Sequence, residues 1–151
     1  MTKKPLLAAA VLAGLAVPAA ALAQDPAPAD TTPPSAALKI NTTLNSIDSM
    51  IGSGLTFSAD PSEDVTYTAK ATIKVKGRTV VVAKSIDTRN FYNQSGGFIE
   101  ASIPDAGDKA VKNLIKIKKG KKTSVTLTVS LKDTAGNTAT VKKTVKLKKR
   151  Y

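Results

Sequence analysis

Two runs near the end of the chain alternate apolar and polar residues with the two-residue period of a half-buried β-strand. Residues 123–132 and 138–147 each place valine, leucine or alanine on one face and threonine, serine or lysine on the other. The connection between them contains Asp133, Gly136 and Asn137, residue types that favour tight turns, so the two runs predict a long antiparallel hairpin. Lys143 interrupts the apolar side of the second run, which predicts an edge position or a bulge.

The same alternation continues in the middle of the chain and is clearest at residues 65–75. A one-residue slip of that strand would bury Lys70 and Lys74, so its register is strongly specified. Apolar residues at helical spacing predict short helices over 43–51 and 108–117, each followed by a glycine that can end it. Shorter strands are predicted over 38–42, 55–59, 79–86 and 98–103.

Seven strands at these intervals predict an all-β fold, a Greek-key β-sandwich with both helices capping one pole, which we assign to residues 35–149. Residues 24–34 are rich in proline and threonine and are predicted to be an extended linker. Residues 1–23 contain two lysines, an apolar run and a final Ala-Leu-Ala, the pattern of a secretory signal peptide. A membrane anchor is the disfavoured alternative, because Pro18 interrupts the run.

Composition narrows the chemistry that the chain can perform. Cysteine and histidine are both absent, which excludes disulfides, thiol nucleophiles, His-containing zinc sites and histidine-assisted catalysis. Neither G-x-S-x-G nor S-x-x-K occurs, so an enzyme is not expected and no catalytic residue is assigned. The 23 basic and 11 acidic residues give a net charge of +12, which favours an anionic partner.

Three segments resemble the bacterial Ig-like domains of exported surface proteins: DTTPP at 30–34, SEDVTY at 62–67 and DTAGNTAT at 133–140. The resemblance covers nearly all of the chain after residue 23. It implies an immunoglobulin-like sandwich that serves as a non-catalytic adhesion or interaction module of the cell surface. Such domains usually occur in tandem or beside another module, whereas this sequence contains one copy. An accessory or inhibitor domain of an extracellular enzyme system is the alternative.

Lysines on the predicted outward faces form a candidate polyanion-binding surface, whose ammonium groups would displace counterions from a bound polymer. Threonines lie between them rather than the aromatic side chains on which nucleic-acid bases stack, so nucleic acid is not the expected partner. Anionic polymers of the cell envelope are the expected partner, and a merely solvated lysine surface is the alternative. The candidate residues are Lys70, Lys74, Lys132, Lys142, Lys146 and Lys148.

Acidic turns give a candidate calcium site. In an Ig-like order, the start of the first strand and the turns at 60–64 and 133–137 meet at one pole, where hard oxygen ligands would suit Ca²⁺. Calcium is the one cofactor considered, and ordinary turn chemistry, which selects the same residue types without a metal, is the alternative. The candidate ligands are Asp30, Asp60, Glu63, Asp64, Asp133 and Asn137.

The loop at 87–97 shows no periodicity and holds an aromatic cluster. It is predicted either to form a recognition tip at the same pole or to pack as a small core of its own. Its candidate contact residues are Arg89, Phe91, Tyr92 and Asn93. Together these expectations describe a monomeric protein, secreted or associated with the cell envelope, that binds a protein or an anionic polymer and has no membrane span after signal cleavage.

Overall fold

The structure is a computed structural model that describes residues 29–93 and 98–151. Within these residues, eight strands form two antiparallel sheets, and two short helices accompany them. In chain order the elements are β1 (Ala36–Lys39), α1 (Met50–Ser53), β2 (Leu55–Pro61), β3 (Val65–Val75), β4 (Arg78–Lys84), β5 (Arg89–Phe91), β6 (Ile99–Ile103), α2 (Asp108–Ile115), β7 (Lys122–Asp133) and β8 (Thr138–Lys148). The smaller sheet has the order β1–β2–β6. The larger has the order β4–β3–β7–β8, and β5 also pairs with β3.

The β7–β8 hairpin confirms the strand pair predicted at the end of the chain. Its register is continuous along both strands, and β8 lies at the edge of the sheet, as expected for a strand with an apolar side that Lys143 interrupts. No bulge forms there, and Lys143 lies opposite Leu127 within the ladder. The edge makes a bulge unnecessary, because the flexible lysine stem carries its ammonium group to solvent past the open side of the sheet.

The core lies between the two sheets, and aromatic rings from both sheets meet in it. Phe57 of β2 contacts Tyr67 of β3 edge-on, with ring centroids 6.3 Å apart, and contacts Phe91 of β5 in the same way at 6.2 Å. Tyr67 and Phe91 stack at 3.8 Å. Such pairs contribute about 0.5–1.5 kcal/mol each beyond the burial of their area. Aliphatic side chains complete the core, among them Leu55, Ala71, Ile73, Ile103, Leu114, Val125, Leu127, Val129 and Leu131.

The helix predicted over 43–51 is wrong. Only Met50–Ser53 is helical, and the dihedral angles inside even that segment depart from helical values. Short polar side chains take over the backbone bonds that a helix would make. The hydroxyl of Ser49 accepts a hydrogen bond from the N–H of Ser46 at 2.8 Å, and the hydroxyl of Ser46 accepts one from the N–H of Ser49 at 3.0 Å. Ile47 is nevertheless fully buried, as the apolar spacing indicates.

Other boundaries shift where pairing between strands overrides the local pattern. The first strand begins at Ala36, before the predicted 38–42, because it pairs with the end of β2 from that residue onward. The second helix ends at Ile115. The segment 87–97 was expected to be irregular, but it contains β5, which raises the number of strands among the described residues from the predicted seven to eight.

Both helices lie at the pole where β8 ends. The carboxylate of Asp48, just before α1, accepts the N–H of Arg150 at 2.5 Å and pairs with the ammonium group of Lys149 at 3.4 Å. That ammonium group also donates to the carbonyl of Leu114 in α2 at 3.4 Å. Lys149 is only 7% exposed, so these contacts fasten the end of the chain between the two helices.

The N-terminal segments are described only in part. The predicted signal peptide, residues 1–23, and residues 24–28 of the predicted linker lie outside the described residues. The rest of the linker contacts the sandwich, because Pro34 is buried and the side-chain amide of Asn137 donates to the carbonyl of Asp30 at 3.1 Å. In the part of the chain that the structure describes, no helix is long and apolar enough to cross a membrane.

Candidate binding surfaces

The outward side of β3, β7 and β8 forms one continuous surface, here called the basic face. Apolar residues of these strands point into the core, so the lysines, threonines and serines that alternate with them point away from it. All six lysines that the sequence predicts as polyanion ligands lie on this face and are exposed, namely Lys70, Lys74, Lys132, Lys142, Lys146 and Lys148.

Strand register arranges part of the basic face as rows that cross β7, the middle strand of the three. Two of these rows, here called the lysine rungs, are Lys70–Thr128–Lys142 and Lys74–Ser124–Lys146. In each rung a lysine of β3 and a lysine of β8 flank a hydroxyl-bearing residue of β7. Lys74 is placed in its rung by continuing the β3–β7 pairing one residue past Ile73 opposite Val125.

A threonine rung lies between the two lysine rungs and consists of Thr72, Thr126 and Thr144. The hydroxyls of Thr126 and Thr144 are hydrogen-bonded at 2.9 Å, and the hydroxyl of Thr72 donates to the carbonyl of Thr126 at 3.4 Å. These bonds hold the hydroxyl groups in fixed positions. The middle of the basic face therefore offers ordered hydrogen-bonding groups between paired positive charges.

A broad, open depression of about 1010 Å³ occupies the end of the basic face nearest to α2. Among the described residues, its lining contains lysines and hydroxyl-bearing side chains but no carboxylate and no arginine. Lys132, Lys146 and Lys148 lie on the same face outside the depression. Of the predicted lysines, those that line it are Lys70, Lys74 and Lys142.

Further lysines that were not among the predicted ligands also line the depression, namely Lys76, Lys116, Lys118, Lys121 and Lys122. Most of them belong to the dense basic run at 116–122, which suits the C-terminal end of a helix because cations there complement the helix dipole. The helix ends at Ile115, so Lys116, Lys118 and Lys121 belong instead to the connection before β7, and Lys122 is the first residue of β7. The density of that run is the signal that could have identified them.

No lysine of the basic face forms an ion pair with a carboxylate of the described residues. Among the described residues, the one ion pair joins Lys149 and Asp48, at the pole where β8 ends. Unit charges repel by about 1 kcal/mol at 4 Å in water, and this repulsion is screened over about 8–10 Å at physiological salt. A bound anion would relieve the repulsion, so its affinity should depend strongly on salt concentration.

The structure brings together three of the six predicted calcium ligands. Carboxylate oxygens of Asp30, Glu63 and Asp133, here called the acidic cluster, lie within 4.8 Å of one another. Asn137 adjoins the cluster, because its side-chain amide donates to the carboxylate of Asp133 at 2.9 Å. The convergence of the first-strand segment and both acidic turns at one pole is therefore as the sequence predicts.

Asp60 and Asp64 do not join the acidic cluster, which corrects the predicted set of ligands. Asp60 lies within β2 opposite Ala37, where strand pairing fixes its direction. The carboxylate of Asp64 accepts the backbone N–H of Asn93 at 2.6 Å, so it holds the neighbouring loop instead. The acidic cluster still offers hard oxygen ligands of the kind that Ca²⁺ prefers, and calcium binding stays a prediction.

Two members of the acidic cluster differ in how readily they take up a proton. Partial burial, followed by the charges of Asp133 and Asp30, raises the pKa of Glu63. Burial acts in the same direction on Asp133, but hydrogen bonds from Asn137 and from the turn backbone outweigh it and lower the pKa of that carboxyl. The turn thus favours the ionised form of Asp133, whereas the surroundings of Glu63 favour its protonated form.

The predicted contact loop separates into core and surface residues. Phe91 is 1% exposed because β5 pairs with the start of β3 and turns the ring into the core, so its assignment as a contact residue is wrong. Asn93 donates from its side-chain amide to the carbonyl of Ser62 at 2.7 Å and thus fastens the loop to the β2–β3 turn. Arg89 and Tyr92 remain at the surface, and Tyr92 is 57% exposed.

Comparison with known proteins identifies no relative of this chain. No protein-family model, no curated protein and no solved structure matches the chain. The likeness to bacterial Ig-like domains therefore rests on the three sequence segments at 30–34, 62–67 and 133–140.

Proposed function

We propose that this protein is a non-catalytic binding domain of the cell envelope or extracellular space, and that its basic face holds an anionic polymer. The observation that carries the proposal is the depression of about 1010 Å³, whose described lining residues include many lysines and hydroxyl-bearing side chains but no carboxylate. A polyanion that occupies it would release condensed counterions, which is the main source of affinity in such complexes. The hydroxyls of Ser124 and Thr128, and the remaining hydroxyl proton of the Thr126–Thr144 pair, would add hydrogen bonds to its oxygen atoms.

An immunoglobulin-like Greek-key sandwich is the finer description of the fold that we infer. It is supported by the two antiparallel sheets, by a chain that passes from one sheet to the other after β2, β5 and β6, and by the three sequence segments. The N-terminal pattern supports export. The absence of cysteine and histidine agrees with a domain that binds at the cell surface and does not catalyse a reaction.

The exposed aromatic residues argue for a polymer without bases. The aromatic side chains with large exposed area are Tyr92, Phe98 and Tyr151. Among the described residues, none of the three lines the depression. Stacking on aromatic rings contributes about 1–3 kcal/mol per base to the binding of single-stranded nucleic acid. A polymer recognised through its charged groups alone fits the basic face better.

The test measures binding of the purified protein to immobilised polyanions, with long-chain polyphosphate, polygalacturonate and oligothymidylate as probes, at low and at physiological salt. The triple variant Lys142→Glu, Lys146→Glu and Lys148→Glu reverses three charges of the basic face. We expect it to lose about tenfold or more in affinity for the polymer that binds best. The matched control, Lys39→Glu, Lys109→Glu and Lys112→Glu, changes the net charge equally at exposed lysines that do not line the depression and do not belong to β3, β7 or β8.

Two results would overturn the proposal. Equal losses in both triple variants would mean that net charge, and not the basic face, governs binding. Failure of the unaltered protein to bind any of the polyanions at low salt would remove the function altogether. Thermal unfolding of each variant checks that it is folded before its affinity is compared.

A further inference from the structure

Resting on the proposed function of the basic face, we propose that its ligand is a linear polymer with phosphate groups in its backbone, which lies along β7 between the two lysine rungs. The rungs consist of Lys70–Thr128–Lys142 and Lys74–Ser124–Lys146. This assigns a ligand class and a direction to the surface. It also makes specific pairs of lysines, and not the whole charge of the protein, responsible for affinity.

Sheet geometry sets the direction of the chain. Neighbouring strands lie about 4.8 Å apart, so the lysines of β3 and β8 start about 10 Å from each other, within reach of one anion above β7. The two rungs are four residues apart, which is about 13 Å along the strand. A chain that follows β7 meets paired ammonium groups at both rungs and the hydroxyl groups of Thr72, Thr126 and Thr144 between them.

The same path continues through the depression, whose lining includes every residue of the two rungs except Lys146, and it reaches more positive charge towards the start of β7. Towards its start, β7 carries Lys122, which lies opposite Lys148 of β8. The lysines just before it, Lys118 and Lys121, line the wall of the depression. A chain that crossed the strands at right angles would instead meet one rung and Lys84, the residue of β4 opposite Lys70. The path along β7 therefore neutralises more positive charge than the path across it.

The geometry of the lysine rungs suits a backbone phosphate. Arginine binds both carboxylate and phosphate through its fixed fork, whereas lysine acts as a point charge that approaches an anion from any direction and is a common phosphate ligand. The depression is lined by lysine and contains no arginine among its described residues. A backbone phosphate has two free oxygens that diverge, so one can face the lysine of β3 and the other the lysine of β8. Hydroxyls beneath them can donate to the same group.

The shape of the surface favours a chain over a lipid bilayer. The phosphate groups of a bilayer lie in a broad plane, whereas the lysines of this site line a concave depression. Proteins that bind bilayers through one face usually insert large apolar side chains as well. The exposed large hydrophobic residues among the described ones are Leu44, Val81, Ile86, Tyr92, Phe98, Ile115 and Tyr151, and none lines the depression.

The experiment compares ligands and rungs in one set of titrations. The probes are long-chain polyphosphate, tripolyphosphate, polygalacturonate and vesicles that contain phosphatidylglycerol. The variant Lys70→Gln with Lys142→Gln removes one lysine rung, and Lys39→Gln with Lys109→Gln removes the same charge elsewhere as a matched control. Tripolyphosphate is shorter than the separation of the rungs, so it can occupy only one of them.

We expect the unaltered protein to bind long-chain polyphosphate about tenfold more tightly than tripolyphosphate, polygalacturonate or the vesicles. The rung variant should bind the long chain about tenfold more weakly than the unaltered protein does, and it should lose most of the preference for the long chain over tripolyphosphate. The affinities of the control should change little. Equal affinity of the rung variant and the control would overturn the inference. So would polygalacturonate or vesicles that bind as tightly as polyphosphate.

The outcomes separate this inference from the function on which it rests. Polyanions could bind with an affinity that the triple variant Lys142→Glu, Lys146→Glu and Lys148→Glu lowers but the rung variant does not. In that case the basic face is a polyanion site, but its ligand does not follow the proposed direction. If the unaltered protein binds none of the polymers, both proposals fail together. Thermal midpoints of both double variants, which replace exposed side chains only, confirm that the comparison is made between folded proteins.

Discussion

Replacing Phe91 with alanine tests whether the aromatic residues of the 87–97 loop separate into a core residue and a surface residue. The Phe91 ring is 1% exposed, stacks on Tyr67 at 3.8 Å and contacts Phe57 at 6.2 Å. Removing a buried phenyl ring costs about 3–5 kcal/mol, with the cavity included. Because β5 is a short strand whose neighbours can partly collapse into the space, we expect a loss of about 3 kcal/mol.

The assay is urea denaturation of the purified protein followed by far-ultraviolet circular dichroism. A loss of about 3 kcal/mol should lower the urea midpoint without changing the slope of the transition, and it should lower Tm by about 10–15 °C. Phe91→Leu, which fills part of the space, should lose about half as much. Tyr92→Ala is the matched control, because that side chain is 57% exposed and its removal should cost at most about 0.5 kcal/mol. Equally small losses for Phe91→Ala and Tyr92→Ala would refute the reasoning and restore Phe91 to the surface.

Further variants test the backbone and the charged clusters. Gly54→Ala should cost about 3 kcal/mol or more of unfolding free energy in urea titrations, because the added Cβ would overlap the carbonyl oxygen of Ile103 and the φ of Gly54 is +73°. The control Gly52→Ala, at a φ of +83° but with open space around it, should cost clearly less. Equal costs would argue against the overlap. Partial burial acts to raise the pKa of Asp48, but hydrogen bonds from backbone N–H groups of the C-terminal residues and its lysine partner prevail and lower it. Ionised Asp48 therefore stabilises the fold at pH values above the ordinary aspartate pKa, and this stabilisation is lost as the pH falls. The variant Asp48→Asn should cost about 1–2 kcal/mol of unfolding free energy at neutral pH and progressively less in acid. A cost that does not depend on pH would contradict this. Because burial and then the charges of its neighbours raise the pKa of Glu63, its ionised form opposes folding, and Glu63→Gln should raise Tm in EDTA at neutral pH. Millimolar Ca²⁺ should raise Tm of the unaltered protein but not of that variant, and a Tm that calcium leaves unchanged would show that the acidic cluster is turn chemistry alone.

Strands that carry a long alternating pattern were determined by the sequence alone. The pattern at 65–75 and the two runs of the terminal hairpin have counterparts in β3, β7 and β8, and their inward residues form much of the core. The physical reason is that the face on which a strand residue lies depends only on whether its position is odd or even. The lysines of the basic face could be assigned for the same reason, because they occupy the alternate positions of these strands.

Other features depended on which distant segments meet, and the tertiary structure decided them. β5 is too short to show a period, and only its pairing with β3 buries Phe91. Membership of the acidic cluster was predicted correctly for three carboxylates and wrongly for Asp60 and Asp64, because strand direction and one loop contact decide where a carboxylate points.

The depression and the lysine rungs illustrate the same division within one surface. The sequence places lysines on the outward side of each strand, but register between strands aligns Lys70 with Lys142 across Thr128. Because α2 ends at Ile115, lysines of the basic run at 116–122 lie outside the helix and line the wall of the depression. Alternation along a strand is local and can be read directly, whereas the alignment of strands and the closure of a surface arise from packing between segments far apart in the chain.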